Sequence, residues 1–596
     1  MTPIKAKRPS DSAVQYLRTG EIHMDAHKAL IQDIFNNGTL IEVPFFQRSY
    51  VWKEELWQRL LDDMEFIVQT GKPHFFGSII LKAGRKRRPG DLFAVCKTVV
   101  DGQQRLTTFL IFMKVLCLKT GQTTMFDLQF KIMGQTLALC HGKNDIAAFE
   151  KVMVATKAEP VENPAPGSRI IEAFNFFVNH MDETKLDIMT IMTNMQFVKI
   201  DLDEDEDEQQ IFDTINSLGV NLTTSELLKN YFFSRETIHE YESQWVCAFE
   251  KDEETKTYWD TELETGRIKR AMIDIFFDAY FQLFIQNRDY NITNEDKLMY
   301  ARVDHLSQSY QHFINTYCGG NKNAVLGPMR DYALCFMDTF RSDQCGRSIP
   351  SDFGMERINI VIFGLKNTTM IPYILYVAKN VSDESEKNRI YGILESYIMR
   401  RMIVHAPTKN YNNLFTSLIL NRVLDGDTLS ERLKNAGDAT TYTPDDNELK
   451  NGFTNSKLIN LQSKGIIYLI ESRIRPSGSA VALLGFNQYS LEHLMPKKWR
   501  NNWPPCATDD LAQERDSVLL TLGNLAIITQ SLNASIRDAA WDKKKAGNGS
   551  GKLGLDLCAS GLCTLYDALT KTEWNETEIL IRAKWLYEQA RTIWRF

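Results

Sequence analysis

The chain has 596 residues, of which 43% are hydrophobic and 24% charged, and its formal net charge is −7. That length exceeds one ordinary hydrophobic core and the composition is that of a globular protein, so two to four domains are expected and a largely disordered or fibrous chain is excluded. The acidic balance excludes a protein that coats nucleic acid indiscriminately, because such binding needs a basic surface, and any DNA contact must therefore be local.

The opening MTPIKAKRPSDS is polar and lacks the apolar stretch of a secretory signal. No later stretch is apolar for the ~18 residues of a membrane span, so a soluble, cytoplasmic protein without membrane contact is expected. The 10 cysteines form no C-x-x-C pair, and the closest two, Cys558 and Cys563, fit neither a zinc ribbon nor a disulfide scaffold, which predicts reduced thiols. No repeat of solenoid or propeller period is present.

From about residue 20 to 235, short apolar runs such as Phe75 to Leu81 and Phe93 to Val95 alternate with helical periodicities such as Glu54 to Val68. This alternation predicts an α/β domain over residues 1–235. It holds two polar motifs. The first is Val43-Pro44-Phe45-Phe46-Gln47-Arg48-Ser49-Tyr50-Val51-Trp52. The second, Val99-Val100-Asp101-Gly102-Gln103-Gln104-Arg105-Leu106-Thr107-Thr108, reads as a strand, a tight turn and a helix start. The free N–H groups and positive dipole end of such a helix suit a phosphate. Arg105 and Arg48 can clamp phosphate oxygens, Gln103 and Gln104 can donate to phosphate or ribose, and Asp101 can hold a metal ion or orient water. Phe46, Tyr50 and Trp52 can stack on a base, with core packing the expected use of Trp52. Lys82, Arg85, Lys86, Arg87 and Arg88 offer a local basic patch, whereas the acidic run Asp201 to Glu208 suits a helix N-terminus and water better than a metal.

From 236 to 440, long helical periodicities dominate, including Ile268 to Gln286 and Asn388 to His405. They predict a helical connector whose apolar faces pack the functional domains together or form a homodimer interface. The polar stretch Asp438 to Gly452 predicts a loop before a last domain over 441–596.

That last domain contains Tyr489-Ser490-Leu491-Glu492-His493-Leu494-Met495-Pro496, then Leu522-Gly523-Asn524-Leu525 leading into an apolar strand, then Ser531-Leu532-Asn533. An acidic residue before a histidine, an asparagine in a turn before a strand, and an asparagine at a helix start are the ingredients of a ββα-metal, or HNH, nuclease site. Phosphodiester hydrolysis needs a base for the attacking water and a cation for the charge developing on the phosphate. His493 suits the first task because imidazole titrates near neutrality. Glu492 and the Asn533 amide oxygen suit a hard divalent ion such as Mg²⁺ or Mn²⁺. Asn524 also fits a plain backbone turn, and Asn533 a helix cap. Lys497, Lys498 and Arg500, and then Lys543, Lys544 and Lys545, add local positive charge. The stretch Ala546 to Leu553 imitates a phosphate-binding loop, but Ala546 replaces its first glycine and Leu553 its Ser/Thr, so an ordinary loop is expected.

Both ends of the chain resemble GmrSD-type, modification-dependent (type IV) restriction enzymes. The acidic-His-x-x-Pro, Gly-Asn-Leu, Leu-Asn and trailing-lysine pattern is similar to their C-terminal nuclease domain. The resemblance implies that His493 is the general base, that Glu492 and Asn533 are metal ligands, that Asn524 holds the histidine-bearing loop in shape, and that Lys543 contacts the scissile phosphate. It extends through Trp574, Arg582, Trp585 and Trp594, and Glu395 to Arg401 also looks like the family. The F-Q-R-x-Y-x-W and D-G-Q-Q-R signatures resemble the ParB/sulfiredoxin-like domain at the N-terminus of the same enzymes. Ile211 to Leu222, leading to Glu226, Leu227, Lys229 and Asn230, is a third family-like stretch in which Asn216 and Gly219 shape a turn. This implies nucleoside triphosphate binding and hydrolysis at Gln47, Arg48, Asp101, Gly102, Gln103, Gln104 and Arg105.

The expected fold is thus α+β multidomain and mostly α: a ParB/sulfiredoxin-like α/β domain, a helical middle, and a C-terminal helical domain carrying the HNH centre. The expected activity is nucleotide-regulated, metal-dependent cleavage of modified, double-stranded phage DNA in host defence. Two alternatives stand beside it, a non-enzymatic ParB-like DNA-binding regulator and a ribonuclease or toxin acting on cellular RNA, since a ββα-metal centre does not itself identify the sugar. No residue names the modification, and glucosylated or hydroxymethylated cytosine and phosphorothioate linkages all fit.

Overall fold

In the computed structural model, one sheet gathers six strands: Asp25–Leu30 (β1), Thr39–Glu42 (β2), His74–Ala83 (β3), Val95–Asp101 (β4), Leu139–Cys140 (β5) and Met195–Leu202 (β6). Their order across the sheet is β1-β6-β3-β4-β2-β5. β1 with β6 and β3 with β4 run antiparallel, while β3 with β6, β2 with β4 and β2 with β5 run parallel. The structure describes residues 25–596 except 37, 45–48, 85–86, 88, 143–144, 165–166, 203–222, 234–236, 266–267, 303–304, 477–481 and 548–552. It divides into two units, 1–240 and 241–596.

The core of the first unit forms around one helix. Gln103–Lys119 (α2) is apolar on all sides, so it must be covered on all sides. Leu106, Phe109, Leu110, Ile111, Phe112, Val115 and Leu116 on it are fully buried. Glu54–Thr70 (α1) and Arg169–His180 (α3) supply cover: Phe112 meets Phe177 edge-on at 5.5 Å, and Trp57 meets Phe176 at 5.7 Å. From the sheet, Phe197 of β6 meets Phe109 at 6.5 Å. α1 ends where Gly71 takes the left-handed conformation, a common helix stop.

The second unit is mostly helical. Its functional part is framed by Glu384–Ile403 (α4), Asn460–Ile474 (α5), Gln530–Ile536 (α6), Trp541–Ala546 (α7) and Glu576–Ile593 (α8), with a hairpin of Tyr489–His493 (β7) and Leu525–Thr529 (β8). α4 begins earlier than its apolar periodicity predicts, because Asp383 caps it by accepting from Ser385 N–H. The helix expected from Ile268 begins at Met272, since Ile268–Ala271 pairs as a strand with Glu262–Thr265. Among the described residues, no helix is long and apolar enough to cross a membrane.

The structure divides at 240/241, and residues on both sides of 440 lie in the second unit. The reason is a buried polar network. Glu395 on α4 accepts from Arg357 Nε at 2.8 Å and Nη2 at 2.6 Å, and from Trp594 Nε1 at 2.9 Å. Arg400, one turn on, donates to the Trp594 carbonyl at 2.6 Å, to the Pro444 carbonyl at 3.0 Å and to Asp446 at 2.6 Å. Groups with no access to water must find partners inside the protein, and here those partners come from both sides of residue 440.

Removing one member of such a pair strands the other. Arg357 is 0% exposed, so Glu395→Ala is expected to lower unfolding free energy by roughly 3–5 kcal/mol in urea titration, with Arg357→Met/Glu395→Leu costing less than the single change. A single variant as stable as the parent would show that the pair does not hold this core.

Candidate active site

In the first unit, β4 delivers Asp101 into Gly102, which sits at φ +102°. A Cβ there would lie 3.1 Å from Ile79 Cγ1 and 3.4 Å from the Ser78 carbonyl, so both conformation and clearance call for glycine. α2 starts immediately afterwards, with Gly102, which has no side chain to cap it, as its N-cap. Arg105 Nη2 donates to Asp101 Oδ2 at 2.5 Å, while its Nε is buried without a hydrogen-bond partner among the described residues. Its shaft lies over Gly77, at φ +130° in an irregular stretch of β3, where a Cβ would come within 3.0 Å of Arg105 Cδ. Sequence reasoning passed over Gly77; a glycine interrupting an apolar strand was the available signal.

Gln104 is committed elsewhere. Its Oε1 accepts from Val51 N–H at 2.9 Å and its Nε2 donates to the Ser49 carbonyl at 3.4 Å, so it holds the Ser49–Val51 segment rather than a ligand's phosphate or ribose. Tyr50 is buried rather than free to stack on a base. Its hydroxyl lies between Thr108 Oγ1 at 2.7 Å and Trp57 Nε1 at 2.8 Å, and its N–H donates to Asp145 at 2.7 Å. Trp52 packs partly buried against the core, and Gln103 is buried beside Gln104. Asp201, near the end of β6, pairs with Lys97 at 2.6 Å and Lys199 at 3.0 Å. Phe46, Gln47, Arg48, residues 203–208 of the acidic run and the Ile211 to Leu222 motif lie outside the described residues.

In the second unit, β7 pairs with β8 across a connection that includes the helix Asp509–Val518, and α6 follows β8 directly. Glu492 pairs with Ala526 and His493 with Leu525 at the hairpin's end, and adjacent strand residues present opposite faces. Asn533 on α6 donates its amide nitrogen to the Leu491 carbonyl at 2.9 Å and to Ser490 Oγ at 3.1 Å, which seats the helix beside the Glu492-His493 pair. The Asn524 amide is fully buried: Oδ1 accepts from Met495 N–H at 2.8 Å and Trp574 Nε1 at 3.0 Å, while Nδ2 donates to the Met495 carbonyl at 2.8 Å and the Leu519 carbonyl at 2.9 Å. Arg582 on α8 donates to the Gly523 carbonyl at 2.7 Å and the Leu525 carbonyl at 2.8 Å. A side chain on Gly523 would collide with the Ile579 carbonyl, so α8 packs on bare backbone there.

The lysine that reaches this centre is Lys544. Lys543 lies on the exposed face of α7, whereas Lys544 is 0% exposed, ion-paired with Glu492 Oε1 and donating to the His493 carbonyl at 2.8 Å. Burial opposes both charges, raising the carboxyl and lowering the ammonium from their usual values, while each partner counters the other's shift. Burial, with Lys497 and Lys544 adding repulsion, pushes the His493 imidazole down to about 4, so it is uncharged at neutral pH. Trp585 is partly exposed on α8, and Trp594 belongs to the Glu395 network.

Compared with known families, residues 31–233 match the GmrSD restriction endonuclease N-terminal domain and residues 443–589 match the GmrSD restriction endonuclease C-terminal domain. The two matches together span more than half of the chain, and they define a restriction endonuclease acting on DNA. The chain belongs to the GmrSD family, of the type IV class. No curated protein matches it.

The different positions of the two lysines give an expected outcome. Lys544→Met leaves the Glu492 carboxylate buried and uncompensated, which is expected to cost about 3–5 kcal/mol in a denaturant melt, while Lys543→Met leaves the melt unchanged. Equal behaviour of the two variants would mean that the buried pair is not formed.

Proposed function

We propose that this chain is an HNH-type, metal-dependent endonuclease that cuts modified, foreign double-stranded DNA in the host cytoplasm, under regulation by a nucleoside triphosphate bound in its ParB/sulfiredoxin-like first unit. The observation that supports the reading is that β7 carries Glu492 and His493 at the end of its ladder with β8, and that Asn533 of α6, the helix after β8, bonds the neighbouring Leu491 carbonyl.

His493 is uncharged at neutral pH, so its ring is ready to accept the proton of the attacking water. Asn524 fixes the backbone that follows it, through two hydrogen bonds to Met495. Glu492 and Asn533 fit a hard divalent ion: Asn533 uses its nitrogen on the protein, leaving its oxygen as a donor, and Lys544 engages Glu492 through Oε1. When bound, the ion supplies charge neutralisation on the phosphate and leaving oxygen.

In the first unit, the start of α2 behind Gly102 and the Arg105 Nε, buried without a hydrogen-bond partner among the described residues, fit a triphosphate. Arg105 exchanges its Asp101 partner for phosphate oxygens, and Asp101 is then free to orient water. A nucleotide that regulates cutting must bind two states of the enzyme differently, and DNA must reciprocally shift its affinity.

His493→Ala is expected to abolish DNA cleavage while leaving thermal stability and nucleotide hydrolysis nearly intact, because the base belongs to the other unit. Retained cutting by this variant, or full cutting by the parent in excess EDTA, removes the catalytic assignment or the metal.

Arg105→Ala is expected to weaken a labelled, non-hydrolysable triphosphate by about ten- to a hundred-fold, from a charge-assisted contact of roughly 1.5–3 kcal/mol. Titration with and without modified DNA reads both affinity and coupling. Equal affinity in the two proteins removes Arg105 from the site, and a parent affinity indifferent to DNA removes the regulation.

A further inference from the structure

A cavity of about 640 Å³ opens within the second unit where the ends of α4, α5 and α8 meet. Its wall carries three guanidinium groups, Arg389 of α4, Arg473 of α5 and Arg595 just beyond α8, and no carboxylate. The ring of Phe353 forms another part of the wall, with Arg473 Cζ 4.8 Å from its centroid. That ring is seated on α4 because Gly392 has no side chain: a Cβ there would lie 2.9 Å from Phe353 Cγ. Ile393 and Ile474 add apolar surface, and Gln589 a neutral donor and acceptor.

The acidic partners of these arginines lie outside the wall. Arg473 donates to Asp352 at 2.9 Å and to the Ser351 carbonyl at 2.8 Å, and Arg389 pairs with Asp427 and, at 3.7 Å, with Glu386. The side chains of Asp352 and Asp427 are 91% and 84% exposed, and ion pairs so wetted hold their cations weakly. Arg595 donates only to the Thr592 carbonyl among the described residues, with no carboxylate within ion-pair reach. The lining itself is therefore cationic, with its counter-carboxylates set outside it, beside an aromatic ring and in a volume typical of small-molecule pockets.

We propose that this cavity binds a nucleotide unit through its phosphate, the arginines taking the phosphate oxygens and Phe353 with its aliphatic neighbours taking the attached ring. The site is separate from the hairpin centre but on the same rigid helix. From Arg582, which bonds the turn before β8, to Trp594 beside the cavity, α8 advances about 18 Å, or 1.5 Å per residue. At about 3.4 Å per nucleotide, a DNA strand covers that span in about five nucleotides. The phosphate can thus belong to the DNA strand or to a free nucleotide, and the same chemistry serves either.

The test compares the full-length parent, Arg473→Gln/Arg595→Gln and Arg473→Lys/Arg595→Lys. Fluorescence anisotropy reads a labelled DNA duplex over a range of salt, and a labelled deoxynucleoside monophosphate in an Arg105→Ala background that disables the first unit's pocket. If the strand enters the cavity, the Gln pair weakens duplex binding at least tenfold and lowers the salt slope by about two, and the Lys pair keeps the slope. If a free nucleotide enters, duplex binding is unchanged and monophosphate binding is lost in the Gln pair. Unchanged binding in both arms overturns the proposal. Should the Gln pair fail to fold, Arg389→Gln is read in the same two arms, where one lost charge lowers the slope by about one. No readout depends on cleavage, so a wrong reading of the hairpin centre does not affect the result.

Discussion

The hairpin of the second unit depends on the need to satisfy one buried amide. Asn524 has no exposed surface, and a primary amide offers two donors and two acceptor positions. All four are used, on the Met495 backbone, the Leu519 carbonyl and the Trp574 indole. A single side chain thereby fixes the loop after His493, the end of the preceding helix and the entrance to α8 in mutual register. A two-stranded hairpin with five residues per strand is barely stable alone in water. Its precision comes from outside the ladder, from Asn524, Asn533, Arg582 and Lys544, each reaching in from a different element.

The two candidate sites handle their cations in opposite ways. Lys544 is sealed off from water and bound to Glu492 and to the His493 carbonyl, so it acts as part of the scaffold. Buried pairs of this kind contribute more to fixing one arrangement than to net stability. Arg105 keeps about a quarter of its side chain exposed and, among the described residues, pairs with Asp101 and has no hydrogen bond at Nε, so its cation is less firmly held. The chain thus holds one cation locked inside its scaffold and leaves the other in a pair that water can reach.

Much of this was legible because it is local. The strand-turn-helix at Asp101 to Arg105, and the order of Glu492-His493, Gly523-Asn524 and Asn533, are short-range patterns that declare their own geometry. What escaped is what distance supplies. In a run of three lysines, only the helical phase set by Trp541 and its packing on Trp574 decides that Lys544 turns inward. Gln104 looks like a phosphate donor until Ser49 and Val51 arrive from about half a hundred residues upstream. The polar stretch after Asp438 has the composition of a linker, yet Arg401 donates to the Thr440 carbonyl at 2.7 Å and Tyr397 to the Thr441 carbonyl at 2.7 Å, so it is packed into the second unit. Periodicity finds helices well, but it contains no information about which polar residue a distant backbone will claim.

The Glu395 network also sets an order of events during synthesis. Trp594 donates to a carboxylate 199 residues earlier in the chain, and Arg400 donates to the Trp594 carbonyl. At ribosomal speeds of about 5–20 residues per second, roughly 10 to 40 s separate the emergence of these partners. The first unit closes its own core with residues that have all emerged by 240. The second cannot complete its polar interior until Trp594 is out, so the nascent chain passes through an interval with a finished first unit and an unassembled second one.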